Sequence, residues 1–191
     1  MNAAAIALGM QAEVLLFDTN INRLRHVDAI YQGHMQTIAS NAYEIENAIK
    51  DADMVIGAVL VPGAKAPKLV TNDMVSRMKP GSVLVDIAID QGGCFEDSRP
   101  TTHAEPTYPV HNSLFYCVAN MPGAVPHTST YALTNVTLPY AVAIADKGWK
   151  QAARDDHSLA LGLNVHDGQI TYGAVADAFG LNSLSLAEVL A

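Results

Sequence analysis

The sequence contains few of the residues that mark several classes of protein. Its 11 lysines and arginines are outnumbered by 19 acidic residues, which gives a formal net charge of −8. No basic run could follow a phosphate backbone, so we expect no nucleic-acid partner. The apolar runs, such as Met54–Pro62, are too short to span a bilayer. No basic segment precedes a secretory hydrophobic region. We therefore expect a cytoplasmic protein that does not interact with membranes.

Cysteine is also scarce. Cys94 and Cys117 lie far apart and match neither a metal-binding spacing nor a CxxC motif. Because the expected compartment is reducing, we predict that both are free thiols. The histidines show no ligand spacing either, so the sequence predicts no metal site.

What the chain does contain is an alternation of short apolar runs and amphipathic segments. Half of its residues are hydrophobic, enough for a sizeable core. Apolar runs at 14–17, 54–62, 81–90 and 114–119 predict strands, and the stretch HMQTIAS, residues 34–40, predicts a short one. Helical spacing at 21–30 and 42–52, and a cap at Thr71 or Asn72, predict helices between them. Strands without polar alternation, separated by helices of about ten residues, are typical of a parallel sheet covered on both faces. We predict a doubly wound α/β domain of the Rossmann type.

The pattern changes after Pro126. A long helical segment follows, which we expect to be bent or interrupted at Pro139. A hairpin around Asp167–Gly168 then leads into a further helix.

Asp18 follows the first predicted strand. An acid at such a strand end binds the ribose hydroxyls of NAD and repels a 2′-phosphate. The alternative is that Asp18 caps the next helix near Asn20. The glycine fingerprint that should stand about 20 residues earlier is missing, because a helix begins almost at Met1. We expect the first strand of the sheet to be missing with it, so that its two neighbours lose their pairing.

The stretch GSVLVDIAIDQGGC places two acids on one predicted strand. Asp86 and Asp90 share a parity and so a face, about 13 Å apart. We predict that Asp86 is a buried structural residue and that Asp90 lies at the end of the strand. The alternative for Asp90 is that it only accepts hydrogen bonds from Gly92 and Gly93. The two glycines would let the backbone turn closely past a ligand.

Three longer stretches, GAVLVPGAKAPKLV, VLVDIAIDQGGCFEDSRPTTH and FYCVANMPGAVPHTSTYALTNVTLPY, resemble alanine dehydrogenase, and the likeness covers essentially the whole chain. Members of that family are homohexameric, NAD-dependent enzymes that interconvert L-alanine and pyruvate plus ammonia. The resemblance implies an NAD-binding domain at 1–126, incomplete at its N-terminus, and C-terminal helices of the substrate domain at 127–191. It also implies that the glycine loop and the family's catalytic His lie before Met1, so that the chain alone would be inactive.

The resemblance also implies where the cofactor lies. It places Asp18 on the adenosine ribose, with Arg23 and Ser40 near the adenosine. Further cofactor contacts are implied at Val59, Leu60, Ile87, Ala88, Ile89, Asp90, Arg99, Val118, Ala119, Asn120 and Met121. Deamination needs protons moved near the reacting carbon, so Asp90, beside the nicotinamide, is the catalytic candidate. Some relatives carry a metal-associated His where this chain has Lys147, so no metal is expected there.

Two other functions stay open on the sequence. One is the NAD-binding subunit of a proton-translocating transhydrogenase, although that family usually lacks the IDQGGC motif. The other is a non-catalytic nucleotide-binding fragment. Lys65 and Lys68 are either substrate clamps or, as we expect, part of a solvated loop. Tyr108 and Tyr116 are expected to be packing residues.

Overall fold

The structure, a computed structural model, describes residues 1–61 and 65–191. Its helices are α1 (Asn2–Gly9), α2 (Ile21–Tyr31), α3 (Ala42–Ile49), α4 (Asn72–Ser76), α5 (Pro126–Lys147), α6 (Trp149–Asp155), α7 (His157–Leu161), α8 (Gly173–Phe179) and α9 (Leu186–Leu190). Its strands are β1 (Leu15–Asp18), β2 (Gln36–Ala39), β3 (Met54–Gly57), β4 (Val83–Asp86), β5 (Thr107–Val110), β6 (Ser113–Tyr116), β7 (Val165–His166) and β8 (Gln169–Ile170). The sequence also predicts a turn at Pro62–Gly63 after the third strand, and these two residues lie outside the described ranges.

The first six strands form two sheets. β1 pairs in parallel with β2. β3, β4 and β6 run parallel to one another, and β5 lies antiparallel to β6 at the edge. Among the residues described, no strand pairing joins the two sheets. The orders β2-β1 and β3-β4-β6 correspond to the Rossmann order with its first strand left out, as the sequence predicts. The α/β class and the parallel-dominated sheet are confirmed.

The main core lies against the four-stranded sheet. Leu84 of β4 and Phe115 of β6 have no solvent exposure, and Ile45 and Ile49 of α3 pack on them from one helix. Phe17 of β1 packs against the same cluster. The two sheets therefore share one hydrophobic core, although no backbone hydrogen bond between strands connects them.

Two helix starts follow from capping side chains. The side-chain oxygen of Asn20 accepts the backbone N–H of Arg23 at 3.2 Å at the start of α2. At α4 the Thr71 hydroxyl accepts the N–H of Met74 at 3.2 Å, which decides between Thr71 and Asn72 as the cap. These bonds satisfy N–H groups that the first turn of a helix leaves unpaired.

Several strands are shorter than predicted, and the largest difference concerns Asp90. β3 ends at Gly57 and β4 at Asp86. After β4 the chain turns into a 3₁₀ helix, Ile89–Gln91, which carries Asp90. The prediction that both acids lie on one strand face about 13 Å apart is therefore wrong. Apolar residues continue past the end of β4 because they pack into the core as a turn, not as a strand.

The edge strand β5 was not predicted. It contains Pro109, which lacks the N–H that a strand ladder uses, and proline in a sheet is confined to edge strands or bulges. β5 turns tightly into β6, with His111 at a φ of +52°. Because proline within a run argues against a strand, the sequence did not predict β5.

The C-terminal segment is helical apart from one hairpin. α5 runs through Pro139 without interruption, and none of its 22 residues is buried. The hairpin of β7 and β8 turns at Asp167–Gly168, as predicted. Across residues 1–61 and 65–191, no helix combines the length and hydrophobicity that a membrane span requires.

Candidate functional site

The parallel pairing of β1 and β2 brings together the three residues predicted near an adenosine. Asp18 is the last residue of β1, and its carbonyl accepts the N–H of Ser40 at 3.0 Å. The guanidinium of Arg23, in the first turn of α2, lies 3.8 Å from the Asp18 carboxylate. One acid, one base and one hydroxyl thus share the carboxyl edge of this sheet, where open α/β sheets bind their ligands.

The Asp18 carboxylate is only partly engaged. It accepts the backbone N–H of Asn20 at 2.8 Å, while Asn20 itself caps α2. The alternative prediction, that Asp18 caps the helix, is therefore wrong. A carboxylate has about four acceptor positions, so this half-buried group retains capacity for two hydroxyl donors.

A second group of predicted residues follows the carboxyl ends of β3, β4 and β6. The strands are in register there: Gly57 pairs with Asp86, and the N–H of Ile87 donates to the Gly57 carbonyl at 2.8 Å. The side chains of Leu60 and Ile87 are 65% and 45% exposed. The predicted contacts with exposed or half-buried side chains here are Val59, Leu60, Ile87, Asp90, Arg99, Ala119, Asn120 and Met121.

Three other predicted contact residues turn their side chains inward. Ala88, Ile89 and Val118 are buried at 6%, 4% and 2% exposure, and Ile89 packs in the main core. Their side chains are closed to a ligand, so only their backbone groups could line a site. The family resemblance, which implied these contacts, did not distinguish side-chain from backbone contacts.

Asp86 is a framework residue, as predicted. It has no solvent exposure, and its carboxylate accepts the backbone N–H groups of Ala88, Cys94 and Phe95 at 3.1, 2.8 and 3.3 Å. The Ser98 hydroxyl also donates to it. A buried carboxylate is tolerated when donors surround it in this way.

Asp90, in contrast, is exposed. The N–H of Gly92 donates to the Ile89 carbonyl at 3.1 Å, and that of Gly93 to the Ala88 carbonyl at 3.0 Å. The alternative prediction, that Asp90 accepts hydrogen bonds from the two glycines, is therefore wrong. Within the described residues its carboxylate has no hydrogen-bond partner, which leaves it available to accept or return a proton.

The two glycines after Asp90 both adopt left-handed backbone conformations, with φ of 89° at Gly92 and 73° at Gly93. A Cβ on Gly93 would lie 2.7 Å from the Asp86 carboxylate and 2.7 Å from Ser98 Cβ. The close approach that requires glycine at position 93 is thus to Asp86, not to a ligand.

Sequence reasoning missed how Arg99 is held. Its backbone N–H donates to the Tyr108 hydroxyl at 2.9 Å, and that hydroxyl donates to the Asp97 carbonyl at 2.9 Å. The Arg99 guanidinium lies 3.9 Å from the centre of the Tyr108 ring, a cation–π distance. Burial raises the pKa of Tyr108, so the phenol is a neutral packing residue, as predicted.

Lys68 is the other missed residue. Its ammonium donates to the carbonyls of Gly92, Gly93 and Phe95. Lys68 is exposed in a segment without helix or strand, as expected of a solvated loop, but the binding of its ammonium to backbone carbonyls was not predicted. No spacing in the sequence signals this contact, because the three carbonyls belong to backbone 24 to 27 residues further on.

Both cysteines are free, as predicted, and both are buried. Burial, helped by the Asp86 carboxylate 3.4 Å from the sulfur, raises the pKa of the Cys94 thiol to about 11. A thiol with so high a pKa is a poor nucleophile and metal ligand.

The residues at the two sheet edges fit a nicotinamide dinucleotide by their chemistry. The half-buried carboxylate of Asp18, an acceptor group, ends β1. The exposed apolar side chains of Leu60 and Ile87 follow the ends of β3 and β4, and Ile87 precedes Asp90, whose carboxylate has no hydrogen-bond partner among the residues described. When bound, such a cofactor supplies hydride transfer, which no protein side chain provides.

Comparison with known proteins gives a consistent result. The family described as "Alanine dehydrogenase/PNT, C-terminal domain" matches residues 1–173. The chain is 62% identical over 189 residues to an alanine dehydrogenase of Halomonas elongata, covering 99% of this chain and 51% of that protein. It therefore spans about half the length of the curated relatives that it matches.

Solved structures show the same similarity. One titled L-alanine dehydrogenase matches with a TM-score of 0.82 and 48% identity, covering 93% of this chain and 49% of that one. A transhydrogenase from Sinorhizobium meliloti matches with a TM-score of 0.60 and 29% identity, covering 68% of this chain and 36% of that one.

Proposed function

The chain belongs to the alanine dehydrogenase/PNT C-terminal domain family, and on that premise we propose that it supplies the nucleotide-binding half of an NAD-dependent alanine dehydrogenase. The reaction is the reversible oxidative deamination of L-alanine to pyruvate and ammonia. The observation that carries the proposal is the 62% identity over 99% of the chain to an enzyme of that name. The transhydrogenase alternative has less support, because that match has 29% identity and covers 68% of the chain.

The two halves of the candidate site take different tasks in this proposal. Asp18 accepts the hydroxyls of the adenosine ribose, while Arg23 and Ser40 complete that end. Leu60 and Ile87 offer apolar surface to the nicotinamide. The remaining predicted cofactor contacts keep the roles that the resemblance implies, with Ala88, Ile89 and Val118 contributing backbone only.

Asp90 is the proposed acid/base. Oxidising the amine of alanine releases a hydride to the cofactor, and water must then be added and ammonia lost, so protons are removed and returned at the reacting centre. The Asp90 carboxylate is exposed and has no hydrogen-bond partner within the described residues, so a proton can reach it. The catalytic His and the groups that hold the substrate carboxylate come, in this proposal, from the half of the enzyme that this chain does not match.

The proposal includes a division at residue 126 and assembly into a homohexamer in the cytoplasm. α5 begins at Pro126 and exposes Tyr131, Leu133, Val136 and Leu138 at about 60% each. A helix with so much apolar surface and no buried residue is typical of one that packs against another part of an assembly. The buried free thiols agree with a reducing compartment.

The test joins this chain to the half of the Halomonas elongata alanine dehydrogenase that it does not match; we call this protein the chimera. We expect pyruvate- and ammonia-dependent NADH oxidation by the chimera and none by the 191-residue chain alone. A chimera that folds and binds NADH but does not turn over would contradict the proposal. NADH binding without turnover, together with hydride transfer to a second nucleotide, would favour the transhydrogenase alternative.

Cofactor choice gives a second test. In Asp18→Ser the ribose acceptor is lost, and Arg23, 3.8 Å away, is freed to pair with a 2′-phosphate. Losing a charged hydrogen bond costs about 1.5–3 kcal/mol, which is roughly a 10- to 100-fold loss in NADH affinity. The preference for NADH over NADPH should fall by at least that factor in steady-state kinetics. An unchanged preference would remove Asp18 from the ribose site.

A further inference from the structure

The loop that carries Asp90 is bound along its length to the segment just before α4. The N–H of Ala66 donates to the Gln91 carbonyl at 3.1 Å, and the N–H of Leu69 to the Cys94 carbonyl at 2.7 Å. The two stretches continue into a parallel bridge. Residues 66–70 therefore run alongside the loop and are hydrogen-bonded to it, and Lys68 is the central residue of this segment.

The ammonium of Lys68 is fully used in this position. Its Nζ atom lies 2.6 Å from the Gly92 carbonyl oxygen, 2.9 Å from that of Gly93 and 2.9 Å from that of Phe95. A lysine ammonium has three N–H donors, and these three acceptors engage all of them. Hydrogen bonds from a charged donor are shorter and stronger than neutral ones. Lys68 therefore has no donor left for a substrate carboxylate.

Asp86 holds the same loop from the buried side. Its carboxylate takes the N–H groups of Cys94 and Phe95, while Lys68 takes carbonyls of the same loop. The Lys68 ammonium thus binds carbonyl groups of the turn, and the Asp86 carboxylate binds its N–H groups. The turn contains two left-handed glycines, the residue type with the greatest backbone freedom. The Asp90 side chain has no hydrogen-bond partner of its own in the described residues. Its location is consequently set by this backbone.

We propose that Lys68 is a positioning residue for Asp90: its ammonium fixes the turn so that the carboxylate stands where the reacting centre lies. This rests on the acid/base role of Asp90 in the proposed function. A misplacement of about 1 Å in a reacting group can cost roughly 100-fold in rate, so a group that holds this turn controls kcat without touching the substrate.

The test is a double-mutant cycle in the chimera. Lys68→Met keeps the aliphatic stem and removes all three donors. We expect kcat to fall by about 10- to 100-fold, while NADH affinity, measured by fluorescence titration, stays within about threefold because the adenosine end is held by another sheet. In the Asp90→Asn background, Lys68→Met should lower kcat by less than about twofold, because residues that act through one group are not additive.

A residue needed only for folding would give a different result, since its effect on kcat would be the same in both backgrounds. That additive outcome, or a normal kcat in Lys68→Met, would overturn the proposal. The matched control is Lys79→Met, which removes a lysine whose ammonium makes one exposed contact, 3.4 Å from Asp53; its kcat should equal that of the parent.

A conservative variant keeps the test decisive if Lys68→Met does not fold. Lys68→Arg retains the charge, but its planar fork cannot converge on three carbonyls at one point. We expect a smaller fall in kcat that again disappears in the Asp90→Asn background, and a parental kcat would overturn the proposal. Failure of the proposed function shows separately, as absence of turnover in the unmodified chimera or normal turnover in Asp90→Asn alone, and the positioning role falls with either.

Discussion

Asp86→Asn changes one atom of a side chain that has no solvent exposure, and we expect it to be among the most destabilising changes of its size in this chain. One oxygen of Asp86 accepts the N–H of Ala88 and the thiol of Cys94. The other accepts the N–H groups of Cys94 and Phe95 and the hydroxyl of Ser98. Every position around the carboxylate is therefore occupied by a donor.

The size of the expected loss in stability follows from how many hydrogen bonds the amide of Asn can still accept in place of the carboxylate. Its NH₂ group does least harm when it faces Ala88, where it leaves the buried N–H of Ala88 and the weak S–H donor of Cys94 without an acceptor. An unsatisfied buried donor costs about 1–3 kcal/mol, and the remaining bonds lose the strength that the charge gave them. We expect the free energy of unfolding to fall by about 2–4 kcal/mol, a large share of the 5–15 kcal/mol typical of a domain.

Urea unfolding followed by circular dichroism measures this difference, with the slope checked to be equal in the two proteins. The matched control is Asp90→Asn, the same chemical change on the exposed acid four residues later, which should alter stability by less than about 0.5 kcal/mol. If Asp86→Asn were as stable as Asp90→Asn, the interpretation of Asp86 as a framework residue would be refuted.

Two further predictions concern the same loop. Gly93→Ala should lower the free energy of unfolding by about 2 kcal/mol or more, because φ is positive and the new Cβ would lie 2.7 Å from Asp86. At Gly92 φ is also positive, but the described residues bring no atom nearer to an added Cβ than Lys65 at 3.9 Å, so Gly92→Ala should cost about 1 kcal/mol; equal losses in urea unfolding would contradict the close contact at position 93. Because burial raises the pKa of Cys94 to about 11 from 9.0, the native state keeps a proton that the unfolded state releases, so stability should fall as pH rises from 9 to 11. The fall should be smaller in Cys94→Ala, and rapid modification of native Cys94 by iodoacetamide at pH 8 would show that the thiol is not held in its neutral form.

The alternation of apolar runs and helical segments was enough to predict the class of fold, because a strand buried on both faces needs hydrophobic residues at every position. The same feature misled the prediction of where β4 ends. Ala88 and Ile89 are as apolar as the residues of the strand, yet they pack into the core from a turn. Burial is visible in the composition of a segment, whereas its backbone conformation depends on where its hydrogen bonds go.

By itself, the sequence determined the α/β class, the family and the candidate positions Asp18 and Asp90, because strand periodicity, helix caps and long motifs are properties of neighbouring residues. Only the tertiary structure decided how those positions are held. Lys68 and Asp86 bind the Asp90 loop through backbone carbonyls and N–H groups. Nearly every residue carries these groups, so no residue type in the loop indicates that such contacts form. Likewise, the placement of the Arg99 guanidinium over the Tyr108 ring depends on how β5 packs against the segment before it.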